Sequence, residues 1–289
     1  MKRILITGAN SYIGENVERY IGDQEKSWVV DTLDMQDPEW QKNSFVGYDV
    51  VFHVAGIAHA DVSDVKDEVK QLYYDVNTRL AIETAQKAKS EGVKQFILMS
   101  SMIIYGGREY IDANTEPAPT SFYGDSKWQA DKGVRELAEE GFDVVVLRPP
   151  MIYGKGSKGN YPALARLARK LPIFPMVNNK RSMLYVGNLC EFVRLMIANE
   201  ESGIYFPQNM EYSNTSEMVQ MIAAAHGKHI WLTSLLSPLV TVGKNIPGKI
   251  GNLCKKAFGS SYYDMQMSTY EEKYCIYSFE DSIYKTERE

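Results

Sequence analysis

Tyr123 and Lys127 stand four residues apart in Tyr-Gly-Asp-Ser-Lys, a spacing that puts both side chains on one face of a helix. A free tyrosine has a pKa of about 10 and is a poor base at neutral pH. A lysine ammonium beside it, or a positively charged nicotinamide ring, favours the phenolate. Such a tyrosine can take a proton from a sugar hydroxyl while hydride leaves the same carbon. A third group must hold the reacting oxygen. Ser101, in Met99-Ser100-Ser101-Met102 at the end of an apolar run, is the candidate, because ligand chemistry in open α/β sheets collects at the C-terminal ends of strands. Each part also has a bland reading. A Tyr/Lys pair at this spacing arises as a surface pair, and two serines can be merely polar residues leaving a strand. Their joint occurrence favours chemistry.

The second signal is the N-terminal Thr-Gly-Ala-Asn-Ser-Tyr-Ile-Gly, residues 7–14. A dinucleotide pyrophosphate needs backbone N–H groups at a helix N-terminus with no side chain in the way. Gly8 permits a sharp exit from a strand, and Gly14 permits close helix–strand packing. Ser11 stands where the middle glycine of the pattern is expected, and its hydroxyl can itself donate to a phosphate. The cofactor contacts expected here are Gly8, Asn10, Ser11, Tyr12, Ile13 and Gly14. The competing reading is a tight turn with no ligand. An acid at the end of the second strand would bind the adenosine ribose and favour NAD over NADP. Asp34, 20 residues after Gly14, is the candidate and Asp31 its rival. Met35 is expected beside the adenine.

These groups need a frame. Ile4–Thr7, Val29–Leu33, Val50–Ala55, Gln95–Met99 and Val144–Leu147 read as strands. Gly14–Ile21, Asn77–Ser90 and Tyr123–Glu139 read as helices, with Gly92 and Gly141 as stops. Strands alternating with helices imply βαβ units and a parallel sheet. The fold class expected is α/β: a Rossmann-like doubly wound sheet with a smaller, interleaved C-terminal substrate-binding lobe. Residues 1–150 form the dinucleotide-binding part, 151–289 mainly the lobe, and a segment around 181–206 returns to the sheet. Only 36 residues separate Gly14 from Val50, so one βα unit is expected to be abbreviated.

Bulk properties exclude some classes. The 289-residue chain is 44% hydrophobic and 24% charged, with a net charge of −5, which argues against general nucleic-acid affinity. Three cysteines, Cys190, Cys254 and Cys275, show neither metal spacing nor a disulfide framework, as in a reducing cytoplasm. No run of about 18 apolar residues suggests a membrane span. No metal site is expected.

The chain resembles the extended short-chain dehydrogenase/reductase family, particularly its nucleotide-sugar epimerases and dehydratases. The likeness runs from residue 3 to about 190. Beyond the turn and Tyr-x-x-x-Lys it rests on Val51-Phe52-His53-Val54-Ala55-Gly56, on Asn77 in Asp-Val-Asn-Thr and on Ser100 to Gly106. It continues through Thr115-Glu116-Pro117, Leu147 to Gly154 and Arg181 to Val186. The resemblance implies bound NAD, with Val54, Ala55, Gly56, Tyr123, Lys127 and Pro150 among its contacts, and a nucleoside diphosphate sugar as substrate. It implies Ser101, Tyr123 and Lys127 as the catalytic triad. Ser101, Met102, Asn160 and Arg181 become substrate contacts, the last suited to a pyrophosphate by its planar fork. It also implies a homodimer and a role in polysaccharide precursor synthesis. His53 reads as a core histidine, His59 as a residue at the pocket rim and a candidate contact of the substrate sugar or the nicotinamide, and Asn77 as a support for the active-site helix. Sugar 4,6-dehydratases of the family carry an Asp-Glu pair after the catalytic serine or threonine. Met102 and Ile103 stand there and cannot transfer a proton, so no such activity is expected.

An NAD-dependent nucleotide-sugar epimerase is the first expectation and an NAD(P)H-dependent 4-keto-sugar reductase the second. A non-catalytic dinucleotide sensor is the third, and it has no need of Ser101, Tyr123 and Lys127 together. Leu235–Phe258 carries four lysines and no acid. It reads either as a basic amphipathic element touching an anionic membrane or, favoured because Pro238, Pro247 and glycines interrupt it, as a lobe helix with a solvated lysine face. Tyr262, Tyr263, Tyr270, Tyr274 and Tyr277 are expected to pack the lobe.

Overall fold

The computed structural model describes residues 1–58, 65–246 and 248–288. Its centre is a parallel sheet of β1 (Arg3–Thr7), β2 (Val29–Leu33), β3 (Val50–His53), β4 (Gln95–Met99), β6 (Asp143–Leu147) and β10 (Gly203–Tyr205), in the order β10-β6-β4-β3-β1-β2. Alternation along each strand explains the two layers of helix. Ile4, Ile6, Val50 and Phe52 point to one face, where α1 (Tyr12–Gln24) and α6 (Val186–Ala198) cover them. Leu5, Val51, Phe96 and Leu98 point to the other, where α3 (Leu80–Ser90) and α4 (Phe122–Arg135) bury Ala85, Ala88, Ala130 and Val134 against them. Burying each large aliphatic side chain stabilises by about 1.5–3 kcal/mol, and such residues fill both layers.

The abbreviated unit falls between β2 and β3. A single 3₁₀ turn at Trp40–Lys42 stands where a helix is usual, and Trp40 and Phe45 fill the second core layer in its place. The strand order therefore reverses between β1 and β3, and the crevice beyond their carboxyl ends is where ligands bind in such sheets.

Several element boundaries differ from the expected ones; α1, for one, runs two residues earlier and three later than Gly14–Ile21. The helix expected at Asn77–Ser90 begins earlier, as α2 (Asp67–Tyr73), and runs through a π-helical turn at Tyr74–Arg79 into α3. The third strand stops at His53, because the Val54 and Ala55 amides both turn to the Thr7 carbonyl (3.0 Å each). The helix expected to reach Glu139 ends at Arg135, and a Glu139–Phe142 bridge with Gly141 at φ 85° leads into β6.

The remaining strands are short pairs: β5 (Tyr110–Ile111) with β12 (Tyr262–Tyr263), β7 (Met151–Tyr153) with β9 (Met183–Tyr185), and β8 (Ile173–Pro175) with β11 (Trp231–Thr233). A separate core of Tyr153, Tyr161, Leu164, Phe174, Met218 and Ile222 holds the lobe together. Around it stand α5 (Asn160–Lys170), α7 (Thr215–Ala225) and α10 (Phe279–Arg288). The basic C-terminal stretch folds as two short helices, α8 (Ser237–Asn245) and α9 (Lys249–Phe258). The tyrosines pack differently from expectation. Tyr270 and Tyr274 set their rings edge-on against Phe192 of α6, and Tyr263 sits edge-on to Tyr105, so the C-terminal segment is tied back to the main sheet rather than to the lobe alone.

Candidate active site

Ser11 caps α1, its Oγ accepting from the Gly14 amide (3.1 Å). That bond leaves the hydroxyl hydrogen able to donate to an anion. A Cβ on Gly14 would lie 2.7 Å from the Ser11 Oγ, so Gly14 is required by this cap as well as by packing on β1. Gly8 has φ 121°, and a Cβ there would lie 2.7 Å from the Ala55 amide nitrogen. Asn10 takes φ 62°, a left-handed conformation that asparagine tolerates. The amides of Tyr12 and Ile13 precede the first intrahelical bond, Glu15 N–H to the Ser11 carbonyl (2.9 Å), and face outward from the helix end. These residues fit a dinucleotide pyrophosphate. Tyr12 differs from expectation in its side chain, which is packed into the core with its hydroxyl 2.6 Å from where a Cβ on Gly154 would sit. Its backbone is what faces the turn.

The rival acids separate cleanly. Asp31 lies within β2, where its carboxylate accepts from the Tyr48 hydroxyl (2.8 Å) and the Arg3 guanidinium (3.4 Å). Asp34 lies just past the strand, exposed, accepting from the Gln36 amide (2.9 Å). Met35 turns its side chain into the core beside Trp40 and Phe45, so the expected adenine contact is not one its side chain is placed to make.

The catalytic candidates meet at the carboxyl ends of β4 and β6. Ser101 caps the 3₁₀ turn Met102–Tyr105, its Oγ accepting from the Ile103 amide (3.2 Å). The start of α4 packs tightly on that turn, where a Cβ on Gly124 would lie 2.9 Å from the Ile103 carbonyl. This closeness brings the Tyr123 phenol within the influence of the Ser101 side chain, which acts to lower its pKa. One helical turn on, Lys127 is buried and its Nζ donates to the Met99 carbonyl (3.1 Å). Gly56 allows the ammonium its place: a Cβ there would lie 3.0 Å from both the Lys127 Nζ and the Asn77 Oδ1. Pro150, at the end of β6, is buried, and Pro149 accepts from the Met102 amide (2.9 Å).

One electrostatic expectation is corrected. Burial pushes the Tyr123 phenol up to about 12, outweighing the effect of the Ser101 side chain, which acts the other way. Burial also pulls Lys127 down to about 8. Desolvation is the largest cause, so burial favours the neutral phenol. His53 behaves as a core histidine. It bonds Thr7 through Nδ1 (2.8 Å), and burial, then the Lys127 charge, pull its pKa to about 3.

Asn77 gives the support expected of it. From the π-helical turn its Oδ1 accepts from the Ile57 amide (2.8 Å), and its Nδ2 donates to the Ile57 carbonyl and the Ser126 Oγ (3.1 Å each). π-Turns recur at functional sites. A second anchor was not foreseen. Asp131, one turn beyond Lys127, accepts from the Ser100 Oγ (3.0 Å) and from the Nε and Nη2 of Arg148 (2.8 Å each). Tyr123, Lys127 and Asp131 thus run down one face at a spacing of four, which is the signal available for Asp131.

The substrate candidates are less concentrated. Met102 follows Ser101 and its sulfur accepts from the Ser261 hydroxyl (3.7 Å). Arg181 bridges to Ser261 through its backbone, and its guanidinium donates to the Lys256 (2.6 Å) and Gly259 (3.2 Å) carbonyls at the end of α9. Asn160 opens α5 in the lobe. His59 lies outside the described residues.

Comparison with known proteins bears on the family and the fold. The family model described as "NAD dependent epimerase/dehydratase family" matches residues 4–206. A UDP-glucose 4-epimerase of Vibrio cholerae is 29% identical over 255 residues, covering 80% of this chain and 77% of that protein. The N-acetyl-alpha-D-glucosaminyl-diphospho-ditrans,octacis-undecaprenol 4-epimerase of Escherichia coli O157:H7 is 28% identical over 279 residues, covering 90% of this chain and 82% of that one. Among solved structures, the dTDP-4-dehydrorhamnose reductase of Bacillus anthracis str. Ames, in complex with NADP, superposes with a TM-score of 0.72 at 19% identity. The match covers 99% and 98% of the two chains, a likeness of fold.

Proposed function

The chain belongs to the NAD dependent epimerase/dehydratase family, and from that premise we propose that it is an NAD-dependent 4-epimerase of a diphosphate-linked sugar, with a UDP-hexose or UDP-N-acetylhexosamine as substrate. The observation that carries this reading is that Ser101, at the end of β4, meets α4 where Tyr123 and, one turn on, a buried Lys127 share one helix face, the Lys127 Nζ donating to the Met99 carbonyl (3.1 Å). When bound, the nicotinamide ring supplies a site that accepts hydride from the sugar carbon and returns it. The residues of the chain do the rest. Ser101 holds the sugar oxygen. Tyr123 takes the hydroxyl proton during oxidation and gives it back during reduction, with Lys127 one helical turn away on the same face. The exposed Asp34 is the proposed partner of the adenosine ribose, and Ser11 with the first amides of α1 the partners of the pyrophosphate. Arg181 and Asn160 are the proposed holders of the substrate diphosphate and nucleoside. The two similar 4-epimerases support the choice of carbon.

The assay is interconversion of UDP-glucose with UDP-galactose, and of their N-acetyl forms, followed by chromatography without added cofactor. Wild type should equilibrate one pair. Tyr123→Phe should lose about 10²–10⁴-fold in rate, the usual worth of a positioned proton donor. A Tyr123→Phe rate equal to wild type would remove the assignment.

A 4-keto-sugar reductase is the second reading. The phenol held at about 12 favours it, since such a group is a proton donor. A reductase would exchange NAD(P)H with solvent and consume one equivalent per turnover.

A further inference from the structure

Lys255 and Lys256 are exposed, as expected of the basic stretch, but α8 beside them exposes an apolar stripe. Leu235, Leu239, Val242 and Ile246 recur at intervals of four, three and four, one stripe of a helix. Leu235 is 85% exposed, Leu239 66% and Val242 62%, while Val240 and Gly243 on the opposite side are buried. The stripe does not end with the helix. The Thr233 Oγ1 caps the turn at Leu235 (3.2 Å), and in the β8–β11 pair Trp231, 68% exposed, lies opposite Ile173, 49% exposed. The Ser237 hydroxyl and the Thr233 carbonyl both bond the backbone of Met176 (2.6 and 2.9 Å), stitching α8 to β8. Soluble proteins rarely leave so many large apolar side chains together in water.

Charge says what covers this face. Residues 149–190 hold seven Lys or Arg and no acid, and residues 218–263 hold five lysines and no acid, in a chain whose net charge is −5. The exposed apolar residues of the stripe all fall within these two segments. Lys255 and Lys256 of α9 are exposed beside α8, and Lys170 and Lys228 are exposed near the β8–β11 end. Glu287 of α10 reaches this part of the lobe, where His226 (2.6 Å) and Arg169 (3.9 Å) engage it. An apolar stripe with an exposed tryptophan, rimmed by lysines in an otherwise acidic protein, has the chemistry of an interfacial membrane element. Among the described residues no helix is long and apolar enough to cross a membrane, so the element lies on a bilayer rather than spanning one.

We propose that this face of the lobe docks on the surface of an anionic phospholipid bilayer, with α8 in the plane of the interface and the lysines of α9 over the headgroups. Insertion of the stripe supplies the apolar part of the affinity, and each lysine adds about fivefold where the surface is negative.

The test is co-sedimentation of the full chain with phosphatidylcholine vesicles, with and without phosphatidylglycerol. The expected result is sedimentation with the anionic vesicles, weakened by high salt and lost in Leu239→Glu/Val242→Glu. Lys255→Gln/Lys256→Gln should reduce it by an order of magnitude or more. The substituted apolar positions are exposed, so the variant should keep its urea midpoint and its turnover of a soluble substrate. Loss of turnover in wild type bears on the proposed function, not on this docking. No sedimentation with anionic vesicles, or equal sedimentation with neutral ones, overturns the proposal. So does a wild-type dimer that Leu239→Glu/Val242→Glu dissociates in the absence of vesicle binding, since that assigns the face to a second copy of the chain.

Discussion

Arg148 grips Asp131 through two parallel hydrogen bonds of 2.8 Å, in a seam where the side chains are 5% and 0% exposed. The pair joins the end of β6 to α4, one turn below Lys127, and Ser100 ties it to β4. It therefore fixes the helix that carries Tyr123 against the strand end that carries Ser101. Removing Asp131 leaves the buried Arg148 guanidinium without its carboxylate. Asp131→Ala should cost about 3–5 kcal/mol of stability, read as a lower urea midpoint. Asp131→Leu/Arg148→Met, which removes both charges, should cost clearly less. Equal losses in the two variants would contradict this role.

Gly56 is predicted to be a spacing residue for the site. A Cβ there would sit 3.0 Å from the Lys127 Nζ and the Asn77 Oδ1. The lysine head is the more movable neighbour, so Gly56→Ala should displace the ammonium while costing only about 1 kcal/mol of stability. A displacement of this kind lowers turnover by about 10²-fold. Steady-state kinetics alongside urea unfolding would show the two effects apart.

Lys127 predicts a pH signature. Burial lowers its folded pKa to about 8, against about 10.4 in the unfolded chain. Between those values the unfolded state binds more protons, so stability from this group rises with pH across that window. Below about 8 the full cost of the buried ammonium is present, and above about 10.4 it is gone. The wild-type stability minus that of Lys127→Met should therefore increase by roughly 3 kcal/mol from pH 7 to pH 10.5. A flat difference would mean the ammonium is not desolvated.

Ser11 has two predicted duties that substitution separates. Ser11→Ala removes the α1 cap and should cost about 1 kcal/mol, whereas Ser11→Gly should cost only a few tenths. Both remove a hydroxyl able to meet a phosphate, and both should weaken dinucleotide binding about tenfold. Fluorescence titration with NADH checks this. Unchanged affinity in both variants would leave Ser11 with the cap alone.

The parts of the site readable from sequence are those set by short-range periodicity. Tyr123 and Lys127 share a face because four residues make about one helical turn, and Ser101 follows an uninterrupted apolar strand. The abbreviated unit after β2 was readable from chain length. What was hidden depends on tertiary approach. Asp131 and Arg148 are 17 positions apart and meet only because α4 lies across the ends of β4 and β6. The raised Tyr123 pKa comes from burial, which spacing does not report. The early start of the helix before Asn77 passes through a π-turn that no 3.6-residue pattern announces. The outward apolar stripe of α8 was masked by prolines and glycines that rightly signalled short helices but gave no information on which side they expose.

The most direct measurement of the central claim requires no choice of substrate. The purified protein is denatured and the released nucleotide identified by chromatography and absorbance. An epimerase must keep the hydride it removes, so the account predicts NAD⁺ released at close to one equivalent per chain. A site that arrives empty and readily takes up NADH or NADPH would contradict the epimerase and favour the reductase. A protein that binds neither form would contradict the dinucleotide site itself.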